Sequence, residues 1–178
     1  MIRKRAGGRA LAMLVASLAG FLGSWRHAVA EPGPPDAMSR TSRGMIYTVS
    51  LASTTFRHSE PIRLEAKFKN GSRAPVTIWI SGFWPNHRVV VKDEAGQEPA
   101  LTKEGEARRK AFAPQGGRDK NAPHIINPGE IYRDSIEVDL NRLYRLGPSH
   151  YTVEVTYEDD QGPTPLRVTS KAISFEIK

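Results

Sequence analysis

Outside the N-terminal leader, the side chains best suited to hold a metal or move a proton are His58, His87, His124 and His150. Their spacing argues against a metal site. Zinc ligands must converge on one point, and the four histidines lie far apart, each in a different expected loop or strand end. The acidic run "EDDQG", Glu158 to Gly162, could face a hard cation, but it lacks the oxygen ligands that a calcium loop alternates over a dozen positions. It reads as a solvated hairpin turn. Serines are plentiful, yet no Gly-x-Ser-x-Gly elbow places one at a strand-to-helix turn. The glycine pair Gly116 and Gly117 lacks the strand, helix and Lys that make a phosphate cradle. Cysteine is absent altogether, which removes a thiol nucleophile, a Cys-ligated zinc and a lipid-anchored cysteine. The sequence thus offers no catalytic residue, no metal ligand set and no cofactor site, and the expectation is a protein that is not an enzyme.

What stands out instead is aromatic. The stretch "WISGFWPNH", Trp79 to His87, holds two of the three tryptophans. Such clusters either cap a core or meet a partner, since exposed apolar patches mark binding sites and Trp is favoured at interface centres. The candidate partner-binding residues are Trp79, Phe83, Trp84 and His87. The partner itself, a protein or a peptide, is not identified by the sequence.

The elements that would position these residues are short strands. In "PIRLEAKFKN" Ile62, Leu64, Ala66 and Phe68 alternate with Arg63, Glu65, Lys67 and Lys69, the period of a strand with one buried face. "YTVEVTYED" repeats the pattern with Tyr151, Val153, Val155 and Tyr157 inward, and "AISFEIK" repeats it with Ile173, Phe175 and Ile177. Less regular strands are expected at Ile46 to Leu51, Val76 to Ile80, Arg88 to Lys92 and Ile131 to Val138, with a weak one at Pro99 to Thr102. Turn residues separate them in "NGSRAP", "DEAGQ" and "DDQGPTP". Only "DLNRLYRL" reads as a helical turn. Glu104 to Asn127 shows no strand pattern and reads as a mobile loop. The fold expected is all-β, an antiparallel immunoglobulin-like β-sandwich of seven or eight strands. Within it, Val76, Ile78 and Ile80 share one face of their strand, and Trp79 points to the other, where it is either covered by a loop or exposed. Asn70-Gly71-Ser72 is a glycosylation sequon in a eukaryotic secreted protein, and more simply a turn.

The domain boundaries follow from the N-terminus. Residues 1–30 have a basic start, an apolar run from Ala10 to Trp25 and the small-x-small site "AVA" before Glu31, the pattern of a signal peptide cleaved near Ala30. Residues 31–44, "EPGPPDAMSRTSRG", read as a disordered tether. Residues 45–178 form the domain, secreted or periplasmic, with no later segment apolar for long enough to insert in a membrane. The leader's five basic residues account for five of the seven formal positive charges, so the basic pI does not indicate a nucleic-acid partner. The remaining cluster, "EARRKAF", reads as a solvated face. Oligomeric state is not legible.

The order "KNGSRAPVTIWI", "VVVKDEAGQEPALT" and "INPGEIYRDSIEVDLNRLYRLGPSHYTVEVTY" resembles the non-catalytic β-domain that precedes the protease domain of deuterolysin-type zinc metallopeptidases. It is similar to small secreted bacterial proteins of that architecture, and more loosely to the bacterial intracellular proteinase inhibitor family. The likeness runs from about Ile46 to Tyr157. It implies a stand-alone β-domain without the peptidase motif, because the four histidines are followed by Ser, Arg, Ile and Tyr rather than by the Glu of His-Glu-x-x-His. It also implies an alternative role as a protease inhibitor or chaperone-like domain. Independently of the family, Asn127, Pro128 and Gly129 form a tight turn, and the strand after it brings Ile136 and Val138 to the core. Tyr151 is placed like the tyrosine corner of immunoglobulin-like sandwiches, its hydroxyl bonding to backbone upstream.

Overall fold

The computed structural model describes residues 36–40, 43–80, 82–112, 122–160 and 165–178, with side chains at all of these except 36, 37, 39, 40 and 134–137. They belong to the second of two units, residues 33–178. The expected leader lies outside the described residues, as do residues 113–121 of the expected loop and the side chain of Ile136.

The elements run β1 (Asp36–Arg40), β2 (Met45–Leu51), β3 (Thr55–Phe56), β4 (Arg63–Asn70), β5 (Val76–Ile80), α1 (Phe83–Asn86), β6 (His87–Asp93), α2 (Lys103–Ala111), β7 (Ala122–Ile126), β8 (Ile131–Asp139), α3 (Leu140–Leu143), β9 (Ser149–Asp159), β10 (Leu166–Thr169) and β11 (Ile173–Ile177). The chain is mostly β, and every strand pair is antiparallel except β3 with β11. One sheet has the order β1-β2-β4-β8. In a second, β9 is flanked by β6 on one side and by β10 and β11 on the other, with β3 beyond β11. A two-stranded ribbon, β5-β7, stands apart.

The alternations read from the sequence select the buried face. Leu64, Ala66 and Phe68 of β4 are buried while Arg63, Glu65 and Lys69 are exposed. On β9, Tyr151, Val153, Val155 and Tyr157 are buried, and on β11 Ile173, Phe175 and Ile177. These residues share one core, in which Phe68 lies 4.7 Å from Tyr47 and 4.7 Å from Tyr157, ring centre to ring centre. Val138 is buried as expected, and α3 is the helical turn expected of "DLNRLYRL". The Tyr151 hydroxyl donates to Gly147 O (3.0 Å) and accepts from Gly147 N (3.2 Å), fixing the entry to β9. Among the described residues, no helix is long and apolar enough to cross a membrane.

Five segments depart from the sequence reading. Asp36–Arg40, inside the expected tether, pair with β2 as β1. Pro99 to Thr102 is not a strand, and only Leu101 bridges to Tyr144. The expected mobile loop contains α2 and β7. Helix α2 has no apolar periodicity in its sequence, "KEGEARRKA", because it is polar all round and buries only Gly105. Its ends nevertheless carry good signals: the Thr102 hydroxyl caps Gly105 N, acids occupy the first turn and Arg108, Arg109 and Lys110 the last. Finally, β3 and β10, two and four residues long, are too short to carry a readable alternation, and with β1 and β7 they bring the described strands to eleven rather than seven or eight.

The crossing from β4 to β5 and the return from β7 to β8 are tied by one side chain. Asn70, fully buried, donates through Nδ2 to Ala74 O (2.8 Å) and Ile126 O (2.8 Å). Its Oδ1 accepts from Ser72 N (2.9 Å) and Ser72 Oγ (2.8 Å). Both amide hydrogens are committed, so the sequon is a turn, and the folded chain leaves neither open to a sugar.

Candidate functional site

The aromatic stretch starts on the last two residues of β5 and continues through α1 to the first residue of β6. Gly82 has φ of 124°, a conformation that side-chain-bearing residues rarely adopt, and it turns the chain into the single turn α1. Pro85 fits there because the first turn of a helix has no intrahelical use for its missing N–H. The turn carries Phe83 inward, where its ring stacks on His87 at 4.1 Å and 6°. His87 opens β6, and its Nδ1 bonds Phe83 O at 2.9 Å. A carbonyl can only accept, so Nδ1 carries the proton. Tyr47, Phe68 and Tyr157 complete the surround of the imidazole.

Phe83 and His87 are therefore core, with 1% of each exposed. Neither can meet a partner, and that part of the sequence expectation is corrected: the turn at Gly82 rotates both under the sheet. Burial holds the His87 pKa down at about 3, against which the bond to Phe83 O works only in part. The ring is neutral at any ordinary pH.

Trp84 is half-buried. It packs edge-on against Phe83 at 5.0 Å, and the Arg108 guanidinium lies 5.2 Å from its ring centre. The cavity beneath, about 20 Å³ between Trp84, Arg108, Arg109 and Tyr144, has room for about one water. Around it two arginines of α2 are engaged within the chain: Arg109 pairs with Glu98 and bonds the Tyr144 hydroxyl, and Arg108 pairs with Glu104, as does Arg142 of α3. Burial and the neighbouring Glu98 push the Tyr144 hydroxyl up to about 12. It stands 3.0 Å from Val89 O, so it also covers part of the outer edge of β6.

Trp79 is half-buried on the face of β5 opposite Ile78, as its parity requires. Its backbone shows how the ribbon is held. On the side away from β7, Thr77 O accepts from Arg43 Nη1 (3.2 Å), Trp79 O from the Tyr157 hydroxyl (3.1 Å), and Trp79 N donates to Asp159 Oδ2 (3.4 Å). Side chains here take the place of a neighbouring strand. Asp159, expected in a solvated turn, continues the inward parity of β9 and is fully buried. Burial raises its pKa, against which the Tyr157 hydroxyl (2.7 Å) and the Trp79 N–H, both aimed at Oδ2, work only in part.

Of the four residues singled out by sequence, only the two tryptophans keep exposed surface, and they lie on different elements. Sequence reasoning missed Pro123 and Ile125, which sit across from Trp79 and Thr77 on β7. The signal available was the β-branched pair Ile125-Ile126 just before the Asn127-Pro128-Gly129 turn. An open groove of about 420 Å³ elsewhere is lined by Asp93, Glu94, His150 and Glu176, but Glu94 accepts from His150 N and Glu176 pairs with Lys178. Among the described residues no group of three His, Asp or Glu is placed to hold a metal. Compared with known protein families and with curated proteins, the chain matches none of them.

Proposed function

We propose that this chain is a secreted, non-enzymatic, immunoglobulin-like β-sandwich module that binds a protein or peptide partner along a strand edge. One observation carries the reading. The large apolar side chains that stay exposed among the described residues are Met38 (54%), Ile125 (60%) and Ile131 (48%), and each sits on a strand at the margin of its sheet, β1, β7 or β8. Edge strands offer unpaired backbone groups, which proteins ordinarily guard with charge. Apolar side chains beside such groups suit an extended partner segment, held by backbone pairing and selected by alternate side chains. The sandwich reading draws support from the single core shared by the two larger sheets and from the Tyr151 hydroxyl bonded four residues upstream. The leader pattern supports secretion.

A peptide library displayed on phage and panned against the full chain tests this. Selected peptides are expected to bind the wild type in calorimetry and to lose binding to the triple variant Met38→Asp, Ile125→Asp, Ile131→Asp, with its unfolding midpoint unchanged. Binders indifferent to the triple variant, or no binders at all, would refute the edge reading. Inhibition of secreted proteases by the intact chain would favour the inhibitor alternative instead.

A further inference from the structure

We propose that the partner's segment adds as a third strand to the outer edge of β7, over the platform made by Trp79, Pro123 and Ile125; this rests on the edge-binding reading above. The register of the ribbon supplies the geometry. Its pairs are Val76↔Ile126, Thr77↔Ile125, Ile78↔His124, Trp79↔Pro123 and Ile80↔Ala122. Thr77 and Trp79 turn their carbonyls away from β7, toward Arg43 and Tyr157. Thr77↔Ile125 and Trp79↔Pro123 are thus the pairs that do not bond each other, and in an antiparallel ladder both members of such a pair point their backbone groups outward. On β7 the outward groups are Pro123 O, Ile125 N–H and Ile125 O. No strand pairs with them among the described residues.

The same parity fixes the side chains. Thr77, Trp79, Pro123 and Ile125 share the face turned away from Val76, Ile78 and Ile126, which are buried. Trp79 lies directly opposite Pro123 and diagonal to Ile125, within the reach of an aromatic side chain. Open backbone groups and an apolar platform therefore coincide on one margin of the ribbon, whereas its other margin is closed by Arg43, Tyr157 and Asp159.

The chemistry selects the occupant. Pro123 has no N–H, so this edge accepts more bonds than it donates. A foreign strand makes both bonds at Ile125 and donates one to Pro123 O. A second copy of this chain brings its own Pro123 to the same place, and each Pro123↔Ile125 pair between copies makes a single bond. The edge therefore fits an extended segment of another protein, apolar at alternate positions, better than it fits itself.

The test uses the full chain labelled with ¹⁵N and a short synthetic peptide alternating Val with Thr, with two further versions N-methylated on one or the other alternate set of amides. The expected result is a shift of the Ile125 amide on titration, binding abolished by one methylation set and kept by the other, and affinity lowered at least about tenfold by Ile125→Asp. Lys171→Asp, an exposed change outside the ribbon, should bind as wild type does. Binding that shifts β1 or β8 instead keeps the module reading and overturns the β7 site. Equal binding by both methylated peptides overturns strand addition. A dimer in sedimentation that Ile125→Asp dissociates overturns the choice of occupant, and failure of any peptide to bind overturns both readings.

Discussion

His87 makes the stability of this domain sensitive to acid. The imidazole is sealed between Phe83, Tyr47, Phe68 and Tyr157, with its Nδ1 proton committed to Phe83 O. In the unfolded chain it titrates near 6.5, and in the folded chain at about 3. The sign follows from proton counting. Between those values the unfolded state binds a proton that the folded state refuses, so stability is complete above pH 6.5 and is lost as pH falls toward 3. Each pH unit in that window costs about 1.4 kcal/mol, which amounts to about 2 kcal/mol at pH 5 and about 3 kcal/mol at pH 4. Against a typical total of about 5–15 kcal/mol this is a large share. The comparison variant is His87→Asn, whose amide can still donate toward Phe83 O but does not titrate. Its stability at neutral pH falls because it leaves a cavity, and the informative quantity is the slope. Urea unfolding of both proteins at pH 7.5 and pH 5 should show the wild type losing about 2 kcal/mol more than the variant over that interval. Equal losses would refute the reasoning, because they would place the acid sensitivity in other groups and leave His87 able to accept its proton in the fold.

Three further outcomes are expected. Phe68→Ala, which empties a ring site between Tyr47 and Tyr157, should cost about 3–5 kcal/mol in denaturant unfolding; a loss below about 1 kcal/mol would mean that the site collapses or that the face is not core. Asn70→Asp should cost about 3 kcal/mol or more at pH 7, since a carboxylate loses both Nδ2 bonds, to Ala74 O and Ile126 O, and places a charge at a fully buried position; an unchanged melting temperature would refute the role of the corner. Asp159→Asn tests the buried acid. Its raised pKa means that the wild type's share of stability from this group is full at low pH and is lost as pH rises from the ordinary carboxylate range through the raised value, so the Asn variant should gain on the wild type as pH increases, and a variant that falls behind above pH 7 would show that the charged carboxylate is the form the ribbon needs.

The β character of the chain was legible in its period. Ile62 to Lys69, Tyr151 to Glu158 and Ile173 to Ile177 alternate because a strand turns successive side chains to opposite faces, and one face of each is core. The tyrosine at the start of β9 was legible for a related reason, since a hydroxyl four residues past a Gly-Pro turn has the backbone at Gly147 within reach. Helix α2 was not, because a helix that buries only a glycine shows no apolar stripe. Strand β7 was not, because four of its five residues are exposed and alternation has nothing to record.

For the candidate site the division is sharper. Parity placed Trp79 on the outer face of its strand from sequence alone. Which aromatics are surface was decided by a backbone angle at Gly82, which puts Phe83 and His87 under the sheet and leaves Trp84 beneath Arg108. That Trp79 stands across from Pro123, with Ile125 on the same face, was decided by the pairing of β5 with a strand more than forty residues later. Local sequence records the face a residue turns to its own strand's neighbours; it does not record which distant strand supplies them.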